Sequence, residues 1–159
     1  MKATATLLAA FAVICCALVS IAAQVPAAQQ RFTEKDFARL KWIEGKWVGS
    51  GYAKPFYEEY RMTSPTRLEK RSFDDESFAT VTSNGSVDLE GGRILHSGGK
   101  SQWVAVRFTE TSIEFESLSN ASNGFVWTRK SPDAWTAVLR AKGRPDTIYE
   151  MTRVKKDAD

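Results

Sequence analysis

From Lys46 to Val154 the chain is a run of short segments in which apolar and polar residues alternate, and that pattern admits few folds. Ile113 and Phe115 fall on one side of an extended segment while Glu114 and Glu116 fall on the other. Trp135, Ala137, Leu139 and Ala141 likewise oppose Thr136 and Arg140. A period of two places one face of a sheet in the core and the other in water. The spacing predicts strands near Lys46–Tyr52, Phe56–Met62, Leu68–Phe73, Phe78–Thr82, Ser86–Leu89 and Arg93–His96, then Gln102–Phe108, Ser112–Ser117, Phe125–Lys130, Trp135–Ala141 and Ile148–Val154. Between them stand Asn84-Gly85, Gly91-Gly92, Gly98-Gly99, Asn123-Gly124, Ser131-Pro132-Asp133 and Gly143-Arg144-Pro145, residue types that suit tight hairpins. Short strands joined in sequence by tight turns, with no second long helix, predict an all-β, antiparallel meander. Closing it into a single barrel removes its two exposed edges.

One short helix precedes the strands. Thr33 with Asp36 three positions later reads as its start, and Phe37, Leu40 and Ile43 carry it to Gly45. Ahead of it, Lys2 is the single charge in the first 30 residues, and Ala3–Ala23 is uncharged with an apolar centre. Ser20 and Ala22 place small residues where a secretory peptidase cuts, so 1–22 reads as a signal peptide; cuts after Ala23 or Ala27 are alternatives. An uncleaved helical anchor is a second reading, and a lipoprotein using Cys15 or Cys16 a third, although Ile14 stands where a small residue is wanted. Cleavage removes both cysteines, and with them disulfides, thiolate nucleophiles and cysteine metal sites. The division is then 1–22 signal peptide, 23–32 flexible lead, 33–154 barrel and 155–159 tail, with the mature chain exported to the periplasm or beyond and not stably inserted in a membrane. Beyond residue 22 there are 21 Lys+Arg against 19 Asp+Glu, which lacks the basic excess used to bind nucleic-acid phosphates.

The segment Phe37-Ala-Arg-Leu40-Lys-Trp42-Ile43-Glu-Gly45-Lys-Trp47-Val-Gly49 carries the most specific pattern. Gly45-Lys46-Trp47, after a short helix and entering the first strand, resembles the GxW signature of the calycins, which include the lipocalins and fatty-acid-binding proteins. That resemblance implies a lipocalin-like barrel in which Trp47 plugs one end and Arg153 of the last strand lies over the indole, closing the barrel with Gly45 at the turn. The WxxGxWxG spacing, the Glu58-Glu59 pair and the closing Tyr-Glu-Met-Thr-Arg-Val strand are similar to an exported bacterial family of unknown function with such a barrel. Gly45-Lys-Trp47-Val-Gly49-Ser-Gly51 also resembles the opening of nitrobindin-like haem barrels. There a histidine near the C-terminal strand holds the iron, whereas the last strand here offers Tyr149 and Met151. No cofactor is therefore expected.

Candidate site residues follow from parity and residue type. Glu58 shares parity with Phe56, Tyr60 and Met62, so it faces inward and needs a partner, for which Arg71, Arg107 and Arg129 are candidates. Glu59 faces the opposite side. Tyr60, Trp103, Trp127 and Tyr149 join Glu58 as candidate ligand-binding residues, able to line a cavity for a flat or apolar molecule or else to fill the barrel. His96, the one histidine, reads as a strand-end residue, solvated or structural. With no cysteine in the mature chain, a zinc site would need several converging carboxylates, and no metal is expected. Asp74-Asp75-Glu76 lacks the spacing of a calcium loop and reads as a charged hairpin tip. Asn84-Gly-Ser and Asn120-Ala-Ser match the glycosylation sequon but read as turns if the source is bacterial, as the resemblance implies. The expectation is an exported barrel binding or carrying a small apolar or aromatic molecule. The alternative is an envelope interaction module with a filled barrel; a haem-binding barrel and an enzyme using Glu58 rank below it.

Overall fold

The computed structural model describes residues 30–119 and 121–155; the expected signal peptide, most of the lead and most of the tail lie outside the described residues. Ten antiparallel strands form a closed barrel in which each strand pairs with its neighbours in sequence and the last returns to the first. They are β1 (Gly45–Ser50), β2 (Phe56–Ser64), β3 (Arg67–Phe73), β4 (Val81–Glu90), β5 (Arg93–Gly98), β6 (Ser101–Phe108), β7 (Ser112–Ser119), β8 (Asn123–Ser131), β9 (Ala134–Ala141) and β10 (Thr147–Arg153). Among the described residues no sheet edge is left open, in line with the closed meander expected from the sequence.

Two of the turn signals are not turns. Phe78–Thr82 and Ser86–Leu89 were expected as two strands, but β4 runs unbroken through Asn84-Gly85. Gly85 lies opposite both Lys70 and Gly98, and a β-carbon there would come within 2.6 Å of the Ser97 carbonyl oxygen. Its small size serves close strand approach, not a bend. Asn123-Gly124 likewise opens β8, where a β-carbon on Gly124 would meet the Phe115 carbonyl oxygen at 2.8 Å.

The helical segment seals one end. Thr33 and Asp36 form a reciprocal capping box that starts α1 (Glu34–Phe37), and the chain then tightens into a 3-10 helix over Ala38–Ile43. Three residues per turn put Phe37, Leu40 and Ile43 in one line, and all three are fully buried. The end of the expected flexible lead is also held: Phe32 is buried, its N–H donates to the Gly92 carbonyl at 2.8 Å, and its ring meets Phe108.

Trp47 sits beneath this segment, fully buried, and its indole N–H donates to the Ile43 carbonyl at 2.7 Å. Arg153, opposite it in the β1–β10 register, places its guanidinium 4.1 Å from the indole centre. The same guanidinium donates to the carbonyls of Glu44 (2.6 Å), Trp42 (3.2 Å) and Pro132 (3.0 and 3.1 Å). Gly45 takes a φ of +120°, and a side chain there would collide with Arg153. The conformation and the space both call for glycine. Arg153→Met is expected to lower the unfolding free energy by about 2–4 kcal/mol in urea titrations, since a stacked cation and charged hydrogen bonds are lost together. Arg153→Lys should recover less than half of that, because an ammonium lacks the planar fork. A loss under about 0.5 kcal/mol, typical of an ordinary surface change, would contradict this role.

Candidate functional site

The end of the barrel away from Trp47 is hollow. A cavity of about 370 Å³ lies among the strands there, with Tyr60, Trp127 and Trp135 deep in its wall and Tyr52, Phe56 and Tyr149 towards the opposite end. Those last three rings touch, with centroids 4.6 to 5.6 Å apart, and Tyr52 is largely exposed. Gly49 makes this possible, because the Phe56 ring occupies the space a side chain at that position would need. Glu58, Tyr60, Trp103, Trp127 and Tyr149 all line the cavity.

Glu58 points inward, but its partner is none of the three arginines proposed from sequence. Lys70 stands opposite Tyr60 in the β2–β3 register, on the same face, and its Nζ lies 2.6 Å from Glu58 Oε1. The Tyr60 hydroxyl donates to Glu58 Oε2 at 2.7 Å, and Lys70 also donates to Ser72 at 3.2 Å. Arg71 has the opposite parity and approaches Glu69, while Arg107 approaches Glu114 on the outer surface. Arg129 borders a separate surface groove with Trp42. Burial first, and the Glu58 charge second, push the Tyr60 phenol well above its ordinary range, so it stays a hydrogen-bond donor.

His96 was misplaced by the sequence reading. It is not at a strand end but inside β5, opposite Val87 and Trp103, and only 8% exposed. Its ring lies 5.2 to 5.8 Å from those of Trp103, Phe115, Phe125 and Trp127. Burial, with a contribution from the Lys70 charge, lowers its pKa to about 3. Nδ1 has no hydrogen-bond partner among the described residues. The signal that could have found it was parity: His96 shares a strand face with Ile94, which is fully buried.

Trp103 is fixed at the cavity wall, its indole N–H donating to the carbonyl of Asn123, which also lines the cavity, at 2.8 Å. The Asp74-Asp75-Glu76 tip is an ordinary turn in which Asp75 accepts from the Ser77 N–H at 2.9 Å and from its hydroxyl at 2.5 Å. No cluster of three or more metal-binding side chains occurs among the described residues. The nitrobindin-like resemblance would require a histidine on the last strand. There β10 turns Tyr149 and Met151 inward, and His96 stands on β5 among aromatic rings, so the residues do not fit haem ligation in that manner.

The class of protein that fold and site define is a closed antiparallel β-barrel with an aromatic cavity. No family model matches the chain, and no curated protein matches it. Among solved structures it is similar to a redesigned beta barrel, at 12% identity and a TM-score of 0.41, over 74% of this chain and 96% of that one.

Two measurements probe the cavity wall. Glu58→Gln alone should cost about 1–3 kcal/mol of stability, because it strands a half-buried ammonium. Replacing the pair together, as Glu58→Leu with Lys70→Met, should return stability to within about 1 kcal/mol of the parent; additive losses in the two singles and the double would contradict the pairing. The second concerns His96. With a native pKa of about 3 against an ordinary 6.5, the unfolded chain takes up a proton that the native one refuses. Stability from this group is complete above pH 6.5 and falls as pH drops towards 3, by at most about 1.4 kcal/mol per pH unit. Between pH 6.5 and about pH 5 the parent should lose about 1–2 kcal/mol that His96→Phe does not lose. Parallel slopes for the two proteins would show that the histidine protonates freely in the native state.

Proposed function

We propose that this protein is an exported barrel that binds or carries a small, largely apolar molecule in its interior, in the periplasm or outside the cell. One observation carries the reading: the interior is not filled, and the unfilled volume is walled by aromatic rings around a few polar groups. A volume of about 370 Å³ lies in the range of small-molecule sites, which combine apolar walls with sparse polar anchors. A leader with Lys2 ahead of an uncharged run over Ala3–Ala23, and small residues before the cut, supports export. The calycin-type opening at Gly45-Lys46-Trp47 supports the same reading, since barrels of that group carry ligands.

The interaction-module alternative assumed a solid interior. Of the exposed large apolar side chains, Tyr52, Val81, Leu118 and Ile148 belong to the strand ends and loop at the cavity's end, where an apolar molecule would enter. An enzyme using Glu58 is weakened by the carboxylate's existing bonds to Lys70 and Tyr60.

Titration with the neutral fluorescent probe N-phenyl-1-naphthylamine tests the reading. Saturable one-to-one binding is expected, and Ala137→Phe, which builds bulk into the cavity wall, should weaken it several-fold. Absence of saturable binding, or binding indifferent to Ala137→Phe in a folded variant, would contradict it.

A further inference from the structure

The cavity wall restricts the chemistry of its occupant, and three features act together. Its charges are already spent: Glu58 and Lys70 face each other at 2.6 Å, and Tyr60 and Ser72 complete their hydrogen bonds. An anionic occupant would meet Glu58 and a cationic one Lys70, and either would have to separate the pair in apolar surroundings. The remaining wall is aromatic, with Trp103, Phe125 and Trp127 around the centre, which suits a flat ring that can stack or meet their edges.

Size is the second restriction. An apolar cavity of about 150 Å³ accepts one benzene ring, so about 370 Å³ has room for two fused rings and a substituent. The third is His96. Its side chain lines the cavity, it is more than nine-tenths buried, and Nδ1 lacks a partner among the described residues. A buried unpaired ring nitrogen is destabilising, and an occupant able to bond it relieves that penalty. Neutral imidazole offers one donor and one acceptor, and a hydroxyl group answers either. Burial and the Lys70 charge keep it neutral throughout the physiological range.

We propose that the cavity is selective for an uncharged, planar aromatic molecule of about two fused rings bearing a hydroxyl group, with the imidazole of His96 as its hydrogen-bonding anchor. This rests on the binding-barrel reading above, and it makes His96 the residue that sets specificity while the aromatic wall supplies affinity.

Three probes of one shape separate these contributions: 2-naphthol, naphthalene and 2-naphthoate, each titrated at pH 7 by quenching of the intrinsic tryptophan fluorescence. The parent protein should bind 2-naphthol about tenfold more tightly than naphthalene, the worth of one good hydrogen bond, and 2-naphthoate more weakly than either. His96→Phe should reduce the naphthol preference to within about twofold while leaving naphthalene affinity nearly unchanged. Equal affinity of the parent for naphthol and naphthalene, a preference for naphthoate, or a folded His96→Phe that keeps the preference would overturn the selectivity while leaving a binding barrel intact. Saturation by none of the three would overturn the binding reading and this inference with it. The comparison of probes on the parent needs no variant to fold.

Discussion

The stacking of Arg153 on Trp47 is the interaction on which the rest of the structure depends. A strand meander becomes a barrel only when its last strand meets its first, and Trp47 and Arg153 face each other at that seam. The guanidinium does more than cover the indole. By donating to carbonyls of Trp42, Glu44 and Pro132, it ties the 3-10 segment and the β8–β9 turn to the same point. Its planar fork suits this bridging, and a point charge does not. Phe37, Leu40 and Ile43 then pack over the tryptophan, and one end of the barrel is solid.

Because that end is filled, the interior volume that the side chains leave is displaced to the other. The wall there departs from what stability alone would select. A buried ion pair is weak evidence for stability, and a hydrophobic pair of similar volume often serves as well or better. A buried histidine held neutral, with a ring nitrogen that has no partner among the described residues, is a further expense. Such departures from local rules concentrate where a protein meets something else. Here Glu58, Lys70 and His96 all face one cavity.

Much of this was legible in the sequence, for physical reasons that differ by residue. Alternation at Ile113–Glu116 and Trp135–Ala141 reveals strands because side-chain direction along a strand is fixed by geometry. The inward face of Glu58 follows from the same rule. Its partner did not, because pairing depends on inter-strand register, which brings Lys70 and not Arg71 to that face. The tightening of the helix was present in the three-residue spacing of Phe37, Leu40 and Ile43. Gly85 and Gly124 misled because glycine serves close approach as well as turning, and only the neighbouring strand tells the two apart. His96 was obscured by Gly98-Gly99, which suggested a strand end two residues too early.

The barrel is sealed at Trp47, and the proposed function has it receive a ligand at the opposite end. The indole N–H signals of the five tryptophans in a ¹H–¹⁵N spectrum report this directly during a titration with 2-naphthol. Trp103 and Trp127 line the cavity, whereas Trp47 lies under the helical seal. The structure predicts saturable shifts of Trp103 and Trp127 with Trp47 unmoved. Shifts centred on Trp47 and Trp42, or none at Trp103 and Trp127, would contradict it.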